Sequence, residues 1–108
     1  MIYVKKKAGE QMGAHDIFMT VKGDKTEEEV KARYYERKED DRDYYGNDPY
    51  NGSFSTLGGI DIKRASFSTR DEAEEYILNK TDKWGNAIAV RVINDAENYW
   101  LIGGWAAS

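Results

Sequence analysis

The sequence contains no cysteine. That absence removes disulfides, thiolate nucleophiles, zinc ribbons and iron–sulfur ligation together. Histidine occurs once, at His15, and proline once, at Pro49. No run of residues is apolar enough and long enough to cross a bilayer. An excess of basic charge is missing too. The net charge is -4, which speaks against a broad basic face and therefore against direct nucleic-acid binding. At the N-terminus the apolar Met1, Ile2, Tyr3 and Val4 precede Lys5, Lys6 and Lys7, the reverse of the order in a signal peptide. A cytoplasmic protein without membrane contact is the expectation.

What is present is enough to fold once. A chain of 108 residues suits a single domain spanning 1–108, with one modest core. The aromatic share of 13% exceeds what a disordered chain of this polarity would carry. No Gly/Ser-rich linker divides the chain.

Alternation predicts strands at residues 2–4 and again at Ile17, Met19 and Val21. Thr26 followed by Glu29 forms a capping box, and Glu27, Glu28 and Glu29 suit the positive end of a helix dipole. Like charges four apart, such as Arg33 with Arg37 and Glu36 with Asp40, predict fraying near residue 40. The apolar stripe of this helix is thin: Val30, Tyr34, and Tyr44 or Tyr45 if the helix extends so far. Such a helix is either mostly solvated or completes its burial against a partner.

Residues 46–52 are dense in turn formers and predict a loop. Short strands are expected at 53–56 and 60–66, with Gly58 and Gly59 between them. A second capping box, Thr69 with Glu72, opens a helix whose inner face is Ala73, Tyr76 and Ile77. A strand at 87–93 then returns as a hairpin through 99–102. The order β-α-β-β-α-β predicts an α+β fold: an antiparallel sheet with both helices on one face, ferredoxin-like, with an extra strand at each end.

Chemistry-bearing groupings are sparse. His15 with Asp16 is one candidate for a small hydrolase-like enzyme. Neighbours in a strand point to opposite faces, however, and no serine-elbow motif is present to complete a triad. Asp41, Asp43 and Gly46 match the first, third and sixth places of a calcium-binding loop, but Tyr45 and Gly52 occupy its fifth and twelfth. No metal and no cofactor is expected. Mimicry of nucleic acid by the acids of this region is opposed by the interleaved Lys31, Arg33, Arg37, Lys38 and Arg42.

The most distinctive feature is aromatic. Tyr34, Tyr44, Tyr45 and Tyr50 fall close together with Asn47, Asn51 and Phe54. Tyrosine offers large contact area with few torsions, and asparagine offers adaptable hydrogen bonding, so this composition suits a binding loop. The alternative is that several of these tyrosines close the edge of a small core. Trp84, Trp100 and Trp105 divide in the same way: Trp100 alternates as a sheet residue, and Trp105, near the terminus, is the better contact candidate.

In compactness, charge and lack of a catalytic motif the chain resembles small accessory proteins encoded by phages and mobile elements. The resemblance covers no defined motif and transfers no residue. The function expected is a non-enzymatic module acting through a protein partner, as an inhibitor or adaptor, through Tyr34, Tyr44, Tyr45, Asn47, Tyr50, Asn51, Phe54 and Trp105. The alternatives are a small-molecule or nucleotide-binding homo-oligomer, and the His15 enzyme.

Overall fold

The computed structural model describes residues 13–46 and 48–108. In chain order its elements are strand β1 (Ala14–Lys22), helix α1 (Glu27–Tyr45), a 3-10 turn (Phe54–Thr56), strand β2 (Ile60–Phe67), helix α2 (Arg70–Lys80), strand β3 (Ala87–Ile93) and strand β4 (Asn98–Ala107). The class is α+β. The strand expected at 2–4 lies outside the described residues.

The sheet order is β1-β4-β3-β2, and it is mixed. β1 and β3 pair antiparallel to β4, whereas β2 pairs parallel to β3. Two local readings of the sequence are corrected by this. Residues 53–56 form the 3-10 turn, because Ser53 caps it by accepting from the N–H of Ser55. The element order among the described residues is therefore β-α-β-α-β-β, which differs from the ferredoxin-like order. The chain joins β2 to β3 through α2, and a parallel pair needs such a crossover helix on one face of the sheet.

The helices cover opposite faces, where one shared face was expected. Alternation along the central strands sorts the residues. Ala87, Ala89, Trp100, Ile102 and Ala106 pack with Val30 and Tyr34 of α1. Ile88, Val90, Val92, Tyr99 and Leu101 pack with Ala73 and Ile77 of α2. β3 and β4 are thus sandwiched, and β4 is buried from Tyr99 through Ala107. Glycines let the layers close. A Cβ on Gly104 would lie 2.5 Å from Leu57 on the α1 side, and one on Gly103 would collide with the Phe18 ring on the other.

Both caps form, one more fully than the other. At α1, Thr26 and Glu29 make the complete reciprocal box. At α2, Thr69 accepts from the N–H of Glu72, but the Glu72 carboxylate turns to the hydroxyls of Ser68 and Thr69. α1 continues to Tyr45 with Gly46 as its cap, without the fraying expected near residue 40. Opposite charges are found at helical spacing in this stretch, Arg37 with Asp41 at 3.1 Å and Glu39 with Arg42 at 3.4 Å. These offset the like-charge pairs on the exposed side.

Candidate functional site: an aromatic end of the sheet

The strand registers bring the starts of β1, β2 and β3 and the end of β4 to one end of the sheet: Ala14 lies opposite Ala107, and Ile60 opposite Ala87. Both helices finish towards this end, α1 at Gly46 and α2 at Thr81. Residues 48–59 wrap it, held from two sides.

One hold is on β4. The Gly52 N–H donates to the Ala107 carbonyl at 2.6 Å, and the Ala107 N–H donates to the Thr56 hydroxyl at 3.0 Å. The other hold is α1. Its inward stripe carries Val30, Tyr34, Lys38 and Asp41, each one turn from the last, and beyond Val30 the stripe is polar. The Tyr34 hydroxyl donates to the Gly58 carbonyl at 2.6 Å, and Lys38 Nζ donates to the Leu57 carbonyl at 2.6 Å. Asp41 is buried; its Oδ2 accepts from the Phe54 N–H at 3.0 Å while Oδ1 accepts from Arg37. Burial pushes the Tyr34 phenol well above its usual range, with Tyr35 adding to the effect. Burial also lowers the Lys38 ammonium, with Arg42 second. The thin apolar stripe of α1 is thereby explained. This helix completes its burial on the backbone of its own following segment.

Asp41 is accordingly a structural clamp, and residues 41–45 are helical, so the sequence match to a calcium-binding loop has no counterpart in the fold. Among the described residues there is no cluster of three or more His, Cys, Asp or Glu side chains suited to a metal ion. His15 is exposed at the start of β1, where a Cβ on Gly52 would lie 2.7 Å from its ring. Asp16, the adjacent strand residue, points to the other face of the sheet.

The candidate contact residues separate into three groups. Tyr34, Phe54 and Trp105 are fully buried. The Tyr34 ring meets Phe54 edge-on at 6.1 Å, and the Trp105 indole N–H donates to the Leu78 carbonyl at 3.1 Å. A wholly buried indole offers no contact surface, so Trp105 is corrected to a core residue, and Tyr34 and Phe54 join it there. Its position near the chain end misled because β4 runs on to Ala107 through the middle of the sheet.

Asn51 forms the second group by itself. Its Nδ2 donates to the Asp48 carbonyl and to Ser55 Oγ, and its Oδ1 accepts from the N–H and hydroxyl of Ser53. The amide shapes the loop. Asn47 lies outside the described residues.

Tyr44, Tyr45 and Tyr50 make the third group, and all are exposed, Tyr44 at 81%. Tyr44 and Tyr45 stack edge to face at 4.8 Å. Tyr50 does the same at 5.4 Å with Trp84, which the sequence had not singled out. Trp84 occupies the turn between α2 and β3 and is 49% exposed. The available signal was the Trp84-Gly85-Asn86 turn itself: a bulky aromatic in a tight turn has little core to reach. Beside it lies a hollow of about 250 Å³ lined by Arg42, Gly46, Asp48, Pro49, Ser55 and Trp84.

No family model matches the chain, and no curated protein or solved structure matches it. Among the described residues, no helix is long and apolar enough to cross a membrane.

Proposed function

We propose that this chain is a non-enzymatic binding module that docks on another protein through the aromatic end of its sheet, in the cytoplasm, as an inhibitor or adaptor. One observation carries the reading. Tyr44, Tyr45, Tyr50 and Trp84, four large aromatic side chains, stand about half exposed or more at one end of the molecule. Exposed aromatics gathered in a patch mark contact surfaces, and tyrosine and tryptophan dominate interface hot spots. The backbone beneath them is fixed to β4 and to α1, so docking would order little of it and would cost correspondingly little entropy.

Nucleotide or small-molecule binding has less support. Pockets for such ligands generally run to roughly 300–1,000 Å³ with mostly apolar linings. The hollow beside Trp84 falls below that range. A larger one of about 330 Å³ is lined by Met19, Thr20, Arg33, Glu36, Arg37 and Asp40, mostly charged groups.

The test is affinity capture from native lysate with wild type, Tyr45→Ala and Tyr50→Ala, each checked by thermal melting. Loss of capture with a melting temperature lowered by no more than about 4 °C is expected. Undiminished capture by both variants would remove this surface from consideration.

A further inference from the structure

Trp84 sits where tryptophan does not belong. The Gly85 N–H donates to the Asp82 carbonyl at 2.8 Å, closing a four-residue turn in which Trp84 is third. Its φ is +69°, and it is the only non-glycine residue with positive φ among the described residues. A positive φ confined to that third place is the type II pattern, which favours glycine or asparagine there. A bulky side chain in this region carries backbone strain, and an observed outlier of this kind is a pointer to function. Nor is the strain offset by burial, because half the indole faces solvent. Folding alone would favour glycine at this position.

The surroundings of the indole select a charge. Gly46, the cap of α1, lines the same hollow, so the partly negative end of a 19-residue helix lies beside it. Asp48 lines it too, with Oδ1 accepting from the Tyr50 N–H at 2.9 Å. Arg42, the cation in the lining, is paired with Glu39 at 3.4 Å. An arriving anion would meet a carboxylate and a helix C-terminus; an arriving cation would meet these and an aromatic face. The molecule already makes one such contact, with Lys83 Nζ 5.9 Å from the centre of the Tyr50 ring. The hollow, about 250 Å³, is below the size usual for small-molecule pockets. The net charge of -4 gives a basic partner long-range attraction as well.

We infer that the hollow beside Trp84 is the anchor site for a lysine or arginine side chain on a basic segment of the protein partner. This rests on the docking reading above and gives that partner its chemistry. The guanidinium or ammonium lies on the Trp84 indole, with Asp48 and the end of α1 as its acceptors.

The experiment uses the full chain and two labelled probes of equal length. One is a 12-residue peptide of alternating arginine and serine, and the other replaces arginine with glutamate. Fluorescence anisotropy is read in low and in physiological salt for wild type, Trp84→Gly and Asp48→Asn. The second variant keeps an acceptor oxygen for Tyr50 and removes only the charge. The arginine peptide is expected to bind wild type, to weaken with salt, and to lose about tenfold in affinity with either variant. The glutamate peptide is expected not to bind. Trp84→Gly is expected to melt at or above the wild-type temperature, which a core residue would not do. Failure of the arginine peptide to bind, equal binding of the two peptides, or undiminished binding by Trp84→Gly overturns the inference. The docking reading stands or falls separately, on whether Tyr45→Ala and Tyr50→Ala lose the captured partner. A partner captured through these tyrosines and indifferent to Trp84→Gly would leave docking intact and remove the basic anchor.

Discussion

On the central strand β4 Trp105 is wholly buried and its indole N–H is satisfied by Leu78, whereas in the turn between α2 and β3 Trp84 stands half exposed in a left-handed backbone position. Trp105 has an ordinary strand backbone and neighbours on every side, so its contribution is to stability. Trp84 has a strained backbone and an open face, so stability does not account for it. Between the two extremes lies the polar clamp of Tyr34, Lys38 and Asp41, which converts the fold of α1 into a fixed position for the aromatic end.

Substitutions can break this contrast at each level. Trp105→Ala is expected to have the largest effect, about 3–5 kcal/mol in urea unfolding, from lost burial and the cavity left behind. That is a large part of the roughly 5–15 kcal/mol that holds a domain together. A loss below about 1 kcal/mol, within the range of surface positions, would place the indole outside the core. Asp41→Ala comes next, at about 1–3 kcal/mol, because it leaves the buried Phe54 N–H without an acceptor. Asp41→Asn retains an acceptor oxygen and is expected to cost less; equal losses for both would mean that the charge, not the acceptor, matters.

Tyr34→Phe removes one hydrogen bond, to Gly58, at about 1 kcal/mol. It also carries a pH signature. The folded state holds the phenol protonated above its usual pKa of 10.0, so the unfolded chain releases this proton first as pH rises. The associated stability is complete below about pH 10 and is lost above it. Tyr34→Phe is expected to decline less steeply than wild type on that alkaline limb. Parallel declines would show that the phenol is no more protected in the fold than out of it.

Much of this architecture is legible in the sequence, for identifiable reasons. Capping residues Thr26 and Thr69, strongly local signals, marked both helix starts. The sheet was misread because β3 and β4 are apolar on both faces. The run from Ala87 to Val90 and the run from Tyr99 to Ala107 are nearly continuous, and such runs signal strands covered by helices on both sides. Strict alternation gives Ile88, Val90 and Val92 one face and assigns Ala87 and Ala89 no burial, though they pack with Val30 and Tyr34 of α1. The clamp was hidden for a different reason. Lys38 and Asp41 are surface residues by type, and only the return of residues 54–58 beneath α1 gives them buried partners. The tyrosine-rich loop was visible, but its division into core, loop-shaping and exposed members depends on contacts between segments far apart in the chain.

The smallest effect on stability is expected where the effect on binding is greatest. Tyr50→Ala removes a side chain that stacks only at the surface, and its cost is expected to stay within about 0.5 kcal/mol. The most direct test of the docking surface is therefore a paired measurement on this variant: partner capture from native lysate beside the melting temperature. The expected result is loss of capture with a melting temperature lowered by no more than about 4 °C. Capture that survives at wild-type level, or that falls only together with a collapse of folding, would contradict the assignment of the aromatic end as a docking surface.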